Sequence, residues 1–269
     1  MADQIQRAKI LKITCIQMDS KPANPDENYR HAEELICDVI KEQPDVIVLP
    51  ESFENFCHLR DKLTDICNQN GNIVKERIGK LAKKFKVNIV AGTVANMYDG
   101  KLYNTSFVFD RNGECIASYN KTHLVFPREA ALYTEGDSLC SFMLDGVKCG
   151  IIICNDIKFP EPVRNLALEG IEILFVPSAW DVGGMFRLRP LRLARAIENQ
   201  IFVVNCNSCC KTDRKTNAGE SAIIDPRGNI LALAGTSEEI LHAECDMQLI
   251  EKDRRNGQSI FLRRRPEIY

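Results

Sequence analysis

Apolar and polar positions follow two rhythms along the chain. Residues 11–18, LKITCIQM, read as a strand, and downstream Ala32, Leu35, Ile36, Val39 and Ile40 recur at helical spacing. Asn24 is placed to cap that helix, Pro25 suits its first position, and Glu27 lies three residues past the cap, close to a capping box. DVIVLP, residues 45–50, is a continuous apolar run of the kind found in strands covered on both faces. Val74, Ile78, Leu81, Ala82 and Phe85 form a second helical stripe, and VNIVAGTVA after it reads as one strand.

Hairpin signals then take over. Asp99-Gly100, Asn112-Gly113 and Asp145-Gly146 each divide two strand-like runs, which predicts LYNTSFVFD, CIASYNKTH, SLCSFMLD and VKCGIIIC as antiparallel neighbours. EPVRNLALEG reads as a helix, IEILFVPSAW as a strand, RLRPLRLARAIENQ as a helix and IFVVNCNS as a strand. SAIIDPRGNILALAG is a further hairpin, turning at Pro226 to Asn229. No linker, repeat or low-complexity tract interrupts the alternation, so the expectation is one α/β domain over residues 1–269 with mixed strand pairing.

Composition narrows the classes of function. Hydrophobic residues make up 45% and charged residues 27%, as in ordinary globular proteins. A net charge of -2 provides no sequence-wide attraction to nucleic acid or anionic lipid. No run approaches about 18 uninterrupted apolar residues and the N-terminus lacks the apolar core of a signal peptide, so the expectation is a cytoplasmic protein with no membrane partner. The 12 cysteines lack the spacing of a disulfide framework and read as buried thiols in a reducing compartment, Cys15, Cys37 and Cys57 among them.

Three reactive residues end strand-like runs, where α/β proteins gather ligands: Glu51 after DVIVLP, Lys121 after CIASYN, and Cys154 after VKCGIII. A thiol with an ordinary pKa of about 8.5 needs a base or a neighbouring cation to become a nucleophile, and the other two supply these. Two bland alternatives stand beside this reading: a catalytically silent binding scaffold, and a Cys-rich metal protein built on CNSCC, Cys206 to Cys210. CNSCC lacks a second ligand pair. His123, two residues past Lys121, is the rival base for the thiol.

Taken in order, LPES, YNKTHLVFPRE, GIIICNDIKFPEPVR, FVPSAW, LARAIENQ, GESAIIDPRGNI and RRRPEIY closely resemble the carbon-nitrogen hydrolase (nitrilase) superfamily over nearly the whole chain. The resemblance implies a four-layer α-β-β-α sandwich with mixed sheets. It implies Glu51 as general base, Cys154 as nucleophile, and Lys121 with the backbone N–H of Asn155 as oxyanion donors. It also implies a second glutamate, Glu129 or less closely Glu135, that holds Lys121 and the substrate nitrogen. Ser178 and Trp180 are expected to line the pocket, Asp156 and Glu161 to be buried acids paired with Lys158 or Arg164, and the chain to form a homodimer or higher homo-oligomer. No cofactor and no metal are expected.

Nitrilases usually carry a tryptophan-glutamate pair after the cysteine. Here Asn155 and Asp156 follow it, a pattern nearer to amidases and carbamoyl hydrolases. Arg128, Arg187 and Arg189 are candidates to grip a substrate carboxylate. The resemblance thus implies a small amide or carbamoyl compound as substrate, and the residues do not choose among aliphatic amides, ω-amides of dicarboxylic acids, deaminated peptides and N-carbamoyl compounds.

Overall fold

The computed structural model describes residues 10–22, 24–55, 60–212, 216–255 and 259–268. Its strands are β1 (Ile10–Gln17), β2 (Val46–Val48), β3 (Asn68–Gln69), β4 (Asn88–Val90), β5 (Val94–Tyr98), β6 (Lys101–Phe109) and β7 (Cys115–Asn120), then β8 (Cys140–Leu144), β9 (Val147–Ile151), β10 (Ile173–Ser178), β11 (Phe202–Asn207), β12 (Ala222–Ile224), β13 (Ile230–Leu233) and β14 (Glu239–Asp246). The helices are α1 (Pro25–Val39), α2 (Arg60–Ile66), α3 (Asn72–Val74), α4 (Lys80–Phe85), α5 (Pro160–Leu168), α6 (Met185–Asn199) and α7 (Gln248–Arg255).

One sheet runs β14-β1-β2-β4-β6-β5-β3, with β7 also on β6, and the other runs β13-β12-β11-β10-β9-β8. Both mix parallel and antiparallel pairs. Strand alternation explains the layering. Val46 and Val48 join the core shared with Ile151, Val176 and Val203 of the other sheet, whereas Ile47 between them joins Ala32, Ile36, Ile78 and Ala82 of the helices. Val108 and its neighbours Phe107 and Phe109 divide in the same way. Val163 and Leu166 of α5 and Leu188 and Ala196 of α6 cover the second sheet. The result is the four-layer sandwich, α1, α3 and α4 outside one sheet and α5 and α6 outside the other.

The helix start at Pro25 forms as the sequence predicts: Asn24 Oδ1 accepts from the Glu27 N–H at 3.4 Å, and Asn24 Nδ2 donates back to the Glu27 carboxylate. The hairpins at Asp99, Asn112, Asp145 and Pro226 also form. Three expectations change. VNIVAGTVA is two strands, not one, because Gly92 turns the chain at φ +48° and passes so close to the strand before Glu51 that a Cβ there would lie 2.0 Å from the Pro50 carbonyl oxygen. The β6–β7 and β8–β9 hairpins belong to different sheets rather than to one row of neighbours. Finally β14, absent from the sequence reading, pairs along the whole of β1. Among the cysteines, Cys15 is buried but Cys37 is exposed, and Cys57 lies outside the described residues.

Just past Glu51, the Glu54 side chain is 1% exposed; its Oε1 accepts from the Ala95 N–H at 2.8 Å and its Oε2 has no hydrogen-bond partner among the described residues. Burial without a cation pushes its pKa up to about 8. A carboxyl whose folded pKa exceeds its unfolded value holds its proton more tightly when folded, so stability falls as pH rises from the unfolded value, near 4.5, through about 8. At about 1.4 kcal/mol per unit, the loss between pH 5 and 8.5 amounts to a few kcal/mol. Urea unfolding of wild type and Glu54→Gln at both pH values measures it. The advantage of the variant should grow with pH, and parallel pH dependences would refute the assignment.

Candidate active site

Three strand ends and one loop converge on a cavity of about 280 Å³ between the ends of the two sheets. Glu51 sits in a turn after β2 that is held by the Ser52 N–H on Thr93 Oγ1 at 2.9 Å and by the Thr93 N–H on the Pro50 carbonyl at 3.3 Å. Lys121 is the first residue beyond β7, its own N–H on the Asn104 carbonyl at 2.9 Å. Cys154 opens a short 3-10 turn after β9 with φ +46°, the left-handed region that a non-glycine residue enters only under constraint.

That constraint is Asp156. Its two buried oxygens accept from the Ile153 N–H, Tyr119 OH, Thr122 Oγ1, the His123 N–H and His123 Nδ1, at 2.8 to 3.1 Å. One carboxylate thus ties the cysteine turn to the segment carrying Lys121. None of these donors is Lys158 or Arg164, the partners expected from the sequence. Lys158 lies over the Trp180 ring at 5.0 Å and Arg164 over Phe261 at 5.5 Å, while Glu161 is exposed rather than buried.

Lys121, fully buried, donates from Nζ to Glu51 Oε1 at 2.8 Å and to both oxygens of Glu129 at 2.8 and 2.9 Å. Burial works against its charge, but Glu51, the Cys154 sulfur and Glu129 outweigh this and hold its pKa well above the lysine range. Glu129 is itself fixed by the Val125 N–H on Oε2 at 2.8 Å. For Cys154, burial pushes the thiol pKa well up and Glu51 adds to the effect; Lys121 and a backbone hydrogen bond from Ala179 pull it down, and Glu129 raises it. Burial and Glu51 thus favour the protonated thiol over the thiolate. A thiol held in that form needs a base to become a nucleophile.

The carbon-nitrogen hydrolase family profile matches residues 12–255. The chain belongs to this family. It is 38% identical over 237 residues to a 2-oxoglutaramate amidase of Bacillus subtilis, covering 88% of this chain and 91% of that protein. It is 31% identical to an omega-amidase of Saccharomyces cerevisiae, covering 100% of this chain and 97% of that one. Among solved structures, Nit3 of Saccharomyces cerevisiae, a member of branch 10 of the nitrilase superfamily, superposes with a TM-score of 0.88 at 29% identity, with 100% of both chains covered. The protein is an enzyme that hydrolyses a carbon-nitrogen bond of a small amide.

Within this carbon-nitrogen hydrolase, Glu51, Glu129, Cys154, Asn155, Trp180 and Arg128 all line the cavity, and Lys121 stands immediately behind Glu51 and Glu129. Ser178 does not reach it. It ends β10 fully buried, with its hydroxyl donating to the Val176 carbonyl at 3.2 Å and accepting from Asn205 Nδ2 at 3.0 Å, so the pocket role expected for it is corrected. His123 is also turned elsewhere, bonded to Asp156 at 2.9 Å and stacked on Phe159 at 3.8 Å, and its pKa is raised chiefly by that hydrogen bond. Glu135 is not part of the lining, and Arg189 is engaged by Glu220 through two bonds of 2.8 and 2.6 Å. Sequence reasoning missed Asn55, Asn104, Tyr133 and Asp181. The buried cysteines of CNSCC pack in the core, and no metal-capable cluster occurs among the described residues.

Proposed function

We propose that this enzyme hydrolyses the terminal carboxamide of a small molecule that also carries a carboxylate, an ω-amide of a dicarboxylic acid, through a thioester on Cys154. The observation that carries the chemistry is the convergence of Glu51, Lys121, Glu129 and Cys154 on one cavity. Cys154 attacks the carbonyl carbon: the C–S bond forms, Glu51 takes the thiol proton, and the carbonyl π pair moves onto oxygen. Lys121 and the Asn155 N–H stabilise that oxyanion, and Glu129 keeps Lys121 in place. Collapse breaks the C–N bond while Glu51 protonates the departing nitrogen, which leaves as ammonia. Water then attacks the thioester, giving its proton to Glu51, and the C–S bond breaks as the sulfur regains its proton.

The substrate assignment draws on a second observation. Arg128, Lys158 and Arg187 line the cavity mouth, exposed, and none has a carboxylate partner within ion-pair distance among the described residues. Cations without a carboxylate partner around a small pocket favour a substrate with its own anionic group. The amidase names of the two relatives point the same way. A cytoplasmic setting fits the free thiols of the described cysteines. The exposed Leu168, Phe186 and Ile197 of α5 and α6 fit a second copy of the chain, and light scattering at monomer mass would exclude it.

Ammonia release tests the substrate reading. The panel is an ω-amide of a dicarboxylic acid, a neutral amide of equal length, an N-carbamoyl amino acid, a deaminated peptide and the matching nitrile. The anionic ω-amide should lead the neutral amide by about tenfold or more in kcat/KM, the equivalent of about 1.4 kcal/mol. Preference for the neutral amide or the nitrile would reject the carboxylate assignment.

A further inference from the structure

Asn104 lies on β6, 2% exposed, and is bonded to two of the four convergent residues at once. Its main-chain carbonyl accepts from the Lys121 N–H at 2.9 Å, and its side-chain Nδ2 donates to Glu51 Oε1 at 2.9 Å. The orientation of its amide is settled by chemistry: a carboxylate oxygen accepts only, so the NH₂ end must face Glu51. Oε1 of Glu51 therefore receives two donors, Asn104 Nδ2 and Lys121 Nζ at 2.8 Å. A carboxylate oxygen offers two lone-pair sites, and both on Oε1 are committed.

We propose that Asn104 is a positioning residue for the hydrolysis, holding the Glu51 carboxylate at Oε1 in the orientation in which it exchanges protons with the Cys154 thiol, the departing nitrogen and the attacking water. In the first and last exchanges an S–H or water O–H bond is traded for a carboxyl O–H bond, in the other that O–H bond is traded for an N–H bond of the departing nitrogen, and no other reagent is needed. The neutral amide matters because it restrains the carboxylate without adding a charge beside Lys121. The inference rests on Glu51 being the base. Among the described residues, the titratable groups that share its surroundings are Lys121 at the end of β7, Glu129 and Tyr133 in the following loop, and Cys154 on its turn.

The test uses Asn104→Ala, Asn104→Asp and Glu51→Gln, each assayed with a primary amide across pH 5.5 to 9 and checked for folding by thermal unfolding. Asn104→Ala should lower kcat by about 10- to 100-fold, the loss of one hydrogen bond to a charged group, with KM within about twofold. Its acid limb of kcat/KM should move to higher pH by about one unit, because a donor favouring the ionised carboxylate has been removed. At pH 8, Asn104→Asp should be less active than Asn104→Ala, since it sets a like charge against Glu51. A merely structural role predicts the reverse order, because aspartate is the closer isostere, and should Asn104→Ala fail to fold, the isosteric variant still reports the acid limb. An inactive Glu51→Gln beside an Asn104→Ala of unchanged kcat and pH profile would overturn the proposal. An active Glu51→Gln would instead overturn the assignment of the base.

Discussion

Lys121→Met is expected to abolish turnover and to weaken the fold at the same time. Loss of one oxyanion donor costs about 10² to 10³ in rate, and the loss of the charge that draws the Cys154 proton toward ionisation compounds it. The structural penalty arises from the two glutamates. Glu51 is 3% exposed and Glu129 18%, both lie within 2.9 Å of Nζ, and methionine fills the space of the lysine stem without neutralising either. Removing one partner of a buried ion pair typically costs about 3 to 5 kcal/mol. Ammonia release and urea unfolding measure the two effects separately. Adding Glu129→Gln to Lys121→Met should recover part of the stability and none of the activity, since it removes a stranded carboxylate but restores no donor. Recovery of activity in the double variant would refute the role given to Lys121.

Cys154→Ala is expected to leave no measurable amide hydrolysis, a loss of at least about 10⁴, because neither Glu51 nor Lys121 offers a nucleophile. Cys154→Ser should fare little better. Its oxygen is harder to deprotonate than sulfur, and the site already opposes ionisation of the group at this position by burial and by Glu51. Two observations distinguish covalent catalysis from simple base catalysis by Glu51. Wild type quenched during turnover should gain the mass of the acyl group, and hydroxylamine should intercept that acyl group as a hydroxamate. Absence of both, or near-normal ammonia release by Cys154→Ala, would remove the thioester from the mechanism.

The positions of Glu51, Lys121 and Cys154 at the ends of strand-like runs were legible because each depends on a local switch from apolar to polar sequence. Asn24-Pro25 was legible for the same reason, since a helix cap is made within three residues. Asp156 was foreseen as a buried acid, but its side-chain partners were not: they come from Tyr119, Thr122 and His123, more than thirty residues away, and not from the neighbouring Lys158 and Arg164 that proximity in sequence favoured. Glu129 was readable through resemblance alone, and only the fold puts its carboxylate on Lys121 Nζ.

By itself, then, the amino-acid order determined the alternating helices and strands, the hairpin turns and the kinds of reactive group at their ends, all consequences of contacts among residues close in the chain. Tertiary structure decided which strands share a sheet, why the chain breaks at Gly92, that Ser178 faces inward to Asn205, and that Asn104 reaches Glu51 across 53 positions. The physical reason is range. Periodicity and caps are set by neighbours, whereas a hydrogen bond near 2.9 Å between distant residues exists only after two sheets and their helices have packed.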